Sequence, residues 1–226
     1  MAAGIVWHLA VIALVLAVPV VTPGWGSISA AAVGLALNHV GPAQWRCGIG
    51  LGKPADVGRT VLAGVIGGVT LFVFTKLLLQ HLCEIIIQSK RDLSAFDFMR
   101  GHLMEQVPFV MATVGTAGFC EEVVYRAIVI GRLRAILPKG SASTMFVVTL
   151  SAAIFGMAHA YQGPAGMLLT ALIGLVLGCV YMGVRRNLWW TVLIHATYDV
   201  LGLISIGTNF DRTLEKWSLS LFKGLW

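Results

Sequence analysis

Gly118-Phe119-Cys120-Glu121-Glu122-Val123-Val124-Tyr125-Arg126 sets two adjacent carboxylates and a guanidinium inside an apolar run covering residues 107–130. A charge at the centre of a membrane helix costs about 2.5–3.5 kcal/mol on insertion scales, so such residues face the protein interior and mark functional sites. The rest of the chain makes a membrane the expected setting. Apolar residues are 58% of the 226 and charged ones 12%, the latter about half of the roughly 25% usual in soluble domains. Mean hydropathy is +0.85. This composition excludes disorder, collagen and coiled coil. The net charge of +6 fits Lys and Arg flanking spans and meeting anionic headgroups. No basic patch with interleaved aromatics points to nucleic acid.

Crossing a bilayer core of roughly 30 Å takes about 20 apolar residues in a helix. Runs of that kind cover residues 5–21, 61–82, 107–130, 144–160, 166–184 and 188–206, with a shorter one at 28–40. The first lacks a basic flank and a small-residue cleavage site, so it reads as an uncleaved span. The sequence therefore predicts an all-α polytopic membrane bundle of about seven helices (six to eight). Residues 1–226 form one domain: N-terminal spans and a polar connection over 1–106, a core of four helices over 107–206, and a tail over 207–226. Residues 88–106 are the most polar stretch and are expected outside the hydrocarbon. Trp7, Trp25, Trp45, Trp189 and Trp190 fall near the ends of the runs, as interfacial indoles do. In the tail, Leu214, Trp217, Leu221 and Leu225 recur at helical spacing, which suits a helix lying on the membrane surface; coil is the alternative. Lys and Arg placement leans only slightly to a cytoplasmic amino terminus. Cys47, Cys83, Cys120 and Cys179 lack the pairing of a disulfide framework or zinc ribbon.

Three polar groups interrupt the apolar helices. Glu122 and Arg126, four apart, share a helix face and can pair, which leaves Glu121 pointing elsewhere, free for general-base work. Phe155 and His159 lie one turn apart on the same face of the next helix. His195 and Asp199 form an i,i+4 pair near the middle of the last run. Each taken alone has a purely structural reading: an ion pair, a satisfied histidine, a packing hydrogen bond. His8, His39, His81 and His102 read as structural. Brought together by packing, the three groups would line one polar cavity.

The pattern Glu-Glu-x-x-x-Arg, then Phe-x-x-x-His, then His-x-x-x-Asp, on successive apolar helices, resembles the CPBP family of intramembrane proteases. That family includes the type II CAAX prenyl endopeptidases and bacterial members tied to bacteriocin processing or immunity. The resemblance covers residues 107–206. It implies hydrolysis by a glutamate-activated water with no cofactor: Glu121 assisted by His159 as base, His195 with Asp199 at the oxyanion, Glu122 with Arg126 in support, and Phe155 lining the cavity or fixing the imidazole. It implies a peptide or lipidated protein substrate, possibly a prenylated one, met in membrane lipid, and an integral multi-pass protein of the cell membrane if the source is prokaryotic. The chain departs from the family's familiar pattern at Asp199, where Asn is usual. An ionised Asp cannot donate to an oxyanion, so Asp199 either carries a proton or acts through His195, whose tautomer it would fix. Zinc held by His159, His195 and Asp199, with Glu121 as base, is the nearest rival. His-Glu-x-x-His, however, is absent. A non-catalytic immunity or scaffold protein and a proton-coupled carrier are the readings outside enzymology.

Overall fold

A computed structural model describes residues 2–21 and 26–221; Trp25, Lys223 and Leu225 lie outside the described residues. No strand occurs among them. Six helices are long and apolar enough to cross a membrane: α1 (Ala2–Val21), α3 (Val57–Ile87), α4 (Val107–Ile136), α5 (Ser141–Ala158), α6 (Ala160–Gly183) and α7 (Leu188–Gly207). The run at 28–40 becomes α2 (Gly26–Val40), an apolar helix of 15 residues that is shorter than those six. The chain is thus an all-α bundle.

Close helix approach depends on residues without side chains, as expected where lipid tails are as apolar as leucine and packing must replace the hydrophobic drive. Gly64 and Gly68, one turn apart on α3, face α7: a Cβ on Gly64 would lie 2.5 Å from Leu193 Cβ, and one on Gly68 2.7 Å from the Ile194 carbonyl oxygen. Gly156 and Gly178 do the same between α5 and α6, meeting the Met167 carbonyl oxygen at 2.6 Å and Val148 Cγ1 at 2.7 Å. At the centre, Gly118 of α4 stands against Ala196 of α7, where a Cβ would come within 2.7 Å of the alanine Cβ.

Helix α4 is not a regular α-helix. Over Val114–Glu121 and Val123–Ile130 its backbone takes the wider π form, in which N–H groups bond five residues back. A shorter π segment, Thr75–Leu79, interrupts α3. The sequence reading assumes 100° per residue throughout, and apolar periodicity does not reveal where a helix widens. Such widenings concentrate at functional sites.

Near one end of the bundle, buried Arg132 of α4 meets His8 Nδ1 of α1 at 3.2 Å and donates to Asn38 Oδ1 of α2 at 3.2 Å. Elsewhere, residues 88–106 fold back onto the helices through a 3-10 turn, Ser94–Met99. Arg100 in this connection holds Asp211 by two hydrogen bonds of 3.0 and 2.9 Å. The tail forms helix α8 (Phe210–Leu221). Part of its surface differs from the expected membrane-lying helix: Leu214 is buried against the α3 cluster, and Ser218 Oγ donates to the Leu77 carbonyl of the π segment at 2.9 Å. Trp217 points outward, 54% exposed, as an interfacial residue would.

Because Gly118 sets the distance between α4 and α7, Gly118→Ala is expected to force them apart and lower stability by about 1–3 kcal/mol, the usual range for overpacking. A thermal unfolding midpoint in detergent equal to wild type would contradict this packing.

Candidate functional site

Glu122 and Arg126 lie on the same side of α4 and are almost entirely enclosed, at 0% and 1% exposure. Their separation is 3.1 Å between Glu122 Oε1 and an Arg126 terminal nitrogen, so the pairing expected from spacing is made. The same Glu122 oxygen also lies 2.8 Å from His195 Nδ1 of α7. A carboxylate only accepts, so Nδ1 carries the hydrogen and the ring turns Nε2 the other way. There it meets Asp199 Oδ2 at 3.4 Å. Of the two carboxylates flanking His195, Glu122 makes the shorter contact, at Nδ1, while Asp199 faces Nε2.

Phe155, fully buried, is the common neighbour of all three motifs. Its ring centroid lies 4.7 Å from that of His159, 5.8 Å from His195 and 4.8 Å from Tyr125, each in an edge-on arrangement, and 4.8 Å from the Arg126 guanidinium carbon. These separations are those at which aromatic edges and cations gain from the ring's negative face. His159 closes α5, and a 3-10 turn, Ala160–Gln162, begins α6. The turn is followed by Gly163 at φ +71°, a conformation a side chain would resist. His159 Nδ1 lies 2.9 Å from the Phe155 carbonyl oxygen. That oxygen too can only accept, so Nδ1 donates and Nε2 of the neutral ring keeps a free lone pair.

Glu121 faces away from this knot. Together with His159, His195 and Asp199 it lines a cavity of about 240 Å³. Glu121 Oε2 is buried, and no described residue hydrogen-bonds to it. A second, more apolar cavity of about 500 Å³ lies on its other side, between α1, α2, α4 and α5, and shares Glu121, His159 and Tyr161 with the first. All seven motif residues are thus gathered: Glu121, His159, His195 and Asp199 on the smaller cavity, and Glu122, Arg126 and Phe155 packed together beside it.

The cavity also contains groups that the motifs do not include: Lys76 from α3, Arg91 from the polar connection, and Tyr161, Gln162 and Tyr198. Lys76 did carry a signal, a lone cation inside an apolar run, which is unusual enough to single out. Arg91 carried none, being one charge among many in a polar stretch. Among the described residues, no three His, Cys, Asp or Glu side chains converge as a metal-holding set.

Residues 103–201 match the family model of Rce1-like type II CAAX prenyl endopeptidases. The matched segment is less than half of the chain and includes every motif residue. It is the family that the three motifs resemble. No curated protein and no solved structure matches the chain. With six membrane-length apolar helices, this segment sits in an integral membrane protein.

Removing one partner from a buried ion pair leaves the other uncompensated, at a cost of about 3–5 kcal/mol. Glu122→Ala, which strands Arg126 and His195 together, is expected to cost at least that, whereas Glu121→Gln, which leaves the knot intact, should unfold within about 1 kcal/mol of wild type. Equal destabilisation by the two substitutions in detergent melts would show that the carboxylates do not differ in this way.

Proposed function

We propose that the protein is an intramembrane endopeptidase in which Glu121 and His159 activate water and His195 stabilises the oxyanion. The observation carrying this reading is the common cavity: a carboxylate whose buried Oε2 has no hydrogen-bond partner among the described residues, an imidazole tied by Nδ1 to the Phe155 carbonyl, and a second imidazole tied by Nδ1 to Glu122. Water held between Glu121 and His159 gives its proton to Glu121 as its oxygen bonds to the scissile carbonyl carbon. The carbonyl π electrons move to oxygen, and the resulting anion accepts a hydrogen bond from protonated His195 Nε2. Collapse of the tetrahedral species breaks the C–N bond. The proton on Glu121 passes to the departing amine, leaving a new carboxyl terminus and regenerating the carboxylate.

Asp199 serves here as the carboxylate that faces His195 Nε2, at 3.4 Å, between turnovers. Glu122 and Arg126 act through position, the first by orienting His195 and the second by neutralising Glu122. No step requires a metal or other cofactor. The substrate is a membrane-associated peptide or lipidated protein, a prenylated one being the class the family match suggests. The apolar cavity behind Glu121 offers a place for an apolar part of it. The chain is taken to be multi-pass, in the cell membrane if the source is prokaryotic.

Purified protein in liposomes, given a library of lipidated and membrane peptides and read by mass spectrometry, tests this reading. Cleavage should fall by roughly 10²–10⁴-fold in Glu121→Gln, the contribution usual for a general base, and should survive a chelator that strips zinc. Chelator-sensitive cleavage restored by zinc would sink the metal-free mechanism. Cleavage indifferent to Glu121 would remove that residue from it.

A further inference from the structure

Two cations line the cavity of Glu121, and neither belongs to a motif or to the matched segment. Lys76 sits on the π segment of α3 and is only 8% exposed. Its Nζ donates to Gln80 Oε1 at 3.3 Å. The carboxylates whose charges reach it are Glu84, Asp211 and Glu215, and each is held by another cation. Lys90 Nζ lies 3.0 Å from both Glu84 and Glu215, and Arg100 lies 2.9 Å from Asp211. Arg91 is oriented from the side: its Nε donates at 2.9 Å to Oε1 of Gln162, in the turn that follows His159. Asp199 acts on Arg91 from beyond ion-pair distance. Among the described residues, neither Lys76 nor the Arg91 side chain has a carboxylate within 4.0 Å.

A buried ammonium without a close counter-ion is expensive, and the Arg91 guanidinium, which bonds Gln162 and the Tyr198 hydroxyl, has N–H donors beyond those two contacts. Both lie on the wall of a cavity whose other residues would hold a peptide for hydrolysis. The anions a peptide brings are carboxylates. Resting on the endopeptidase reading, we propose that Lys76 and Arg91 form a carboxylate-binding subsite of this cavity, selecting peptides that carry an anionic group near the scissile bond. The group is either the peptide's own terminal carboxylate or an acidic side chain. Its binding completes the charge balance of Lys76 and anchors the peptide relative to Glu121.

The test measures binding apart from turnover. Full-length protein carrying Glu121→Gln is titrated in detergent with a dansyl-labelled, S-farnesylated tetrapeptide as the free acid, as the C-terminal amide, and as the amide with one aspartate added. The free acid should bind about tenfold or more tighter than the amide, the scale of one charge-assisted contact. Adding Lys76→Met and Arg91→Gln should shrink that difference to under about twofold. An aspartate-bearing amide that regains the acid's affinity identifies a site for any peptide carboxylate; one that does not assigns it to the terminus. Equal affinity for acid and amide overturns the subsite, as does failure of all three peptides to bind. The acid and amide comparison needs no substitution at Lys76 or Arg91, so a misfolded variant leaves it intact. Failure of the endopeptidase reading looks different: the acid is preferred in binding, yet wild-type protein cuts neither peptide.

Discussion

The carboxylate of Glu122 is the group on which the arrangement depends. It is fully enclosed, and its Oε1 serves both Arg126 on its own helix and His195 on another. A buried charge is tolerated only when it is paired and hydrogen-bonded, so this oxygen ties α4 to α7 at one register. Phe155 of α5 lies against both Arg126 and His195, which brings the third helix to the same point. His159 then follows one turn along α5, its ring held by Phe155 from the side and from the backbone. Adjacent glutamates thereby acquire opposite characters. Glu122 is enclosed by its two partners, whereas Glu121 lines the cavity with its Oε2 unpartnered among the described residues.

That division requires very close helices, which explains the glycines. A hydrogen bond of 2.8 Å between side chains of α4 and α7 allows little slack in the backbone spacing, and Gly118 against Ala196 supplies it. Gly64 and Gly68 perform the same service between α3 and α7, bringing Lys76 within reach of a cavity made mostly by α4 and α7. Packing of this kind is rigid, since interiors behave as solids whose parts cannot shift independently.

Much of this was legible in the sequence because insertion energetics are severe. Long apolar runs mark helices, and Glu121, Glu122, Arg126, His195 and Asp199 stood out because charges at such depths are rare. The i,i+4 rule was enough to pair Glu122 with Arg126 on one helix. It could not reveal that His195, 73 positions away, shares the same oxygen, because contacts between helices depend on packing that no local period encodes. The π geometry of α4 was hidden for a related reason: an apolar helix looks the same whether it winds with four-residue or five-residue bonds. The tail was partly legible. Periodicity suited a helix but left coil open, while the burial of Leu214 and Ser218 against α3 depends on where the polar connection and its Arg100 clamp hold it.

Hydrolysis inside a bilayer makes conflicting demands, since water and charged groups must meet a substrate whose natural surroundings are apolar. The two cavities separate those demands. The smaller one gathers the ionisable side chains, Lys76, Arg91, His195 and Asp199, while the larger is walled chiefly by Val15, Leu16, Val20, Val124 and Ile154. Among the described residues, only Glu121, His159 and Tyr161 belong to both. A polar group on the apolar side would lose hydration without gaining a partner, and an apolar group on the other would displace the water that the proposed hydrolysis would consume. A bond that is polarised at one end of a peptide and lipid-like at the other has one position that satisfies both sides, the boundary where Glu121 and His159 stand. The larger cavity's walls from α1 and α2 lie outside the family-matched segment, so helices without motifs contribute to the environment in which the motif residues would act.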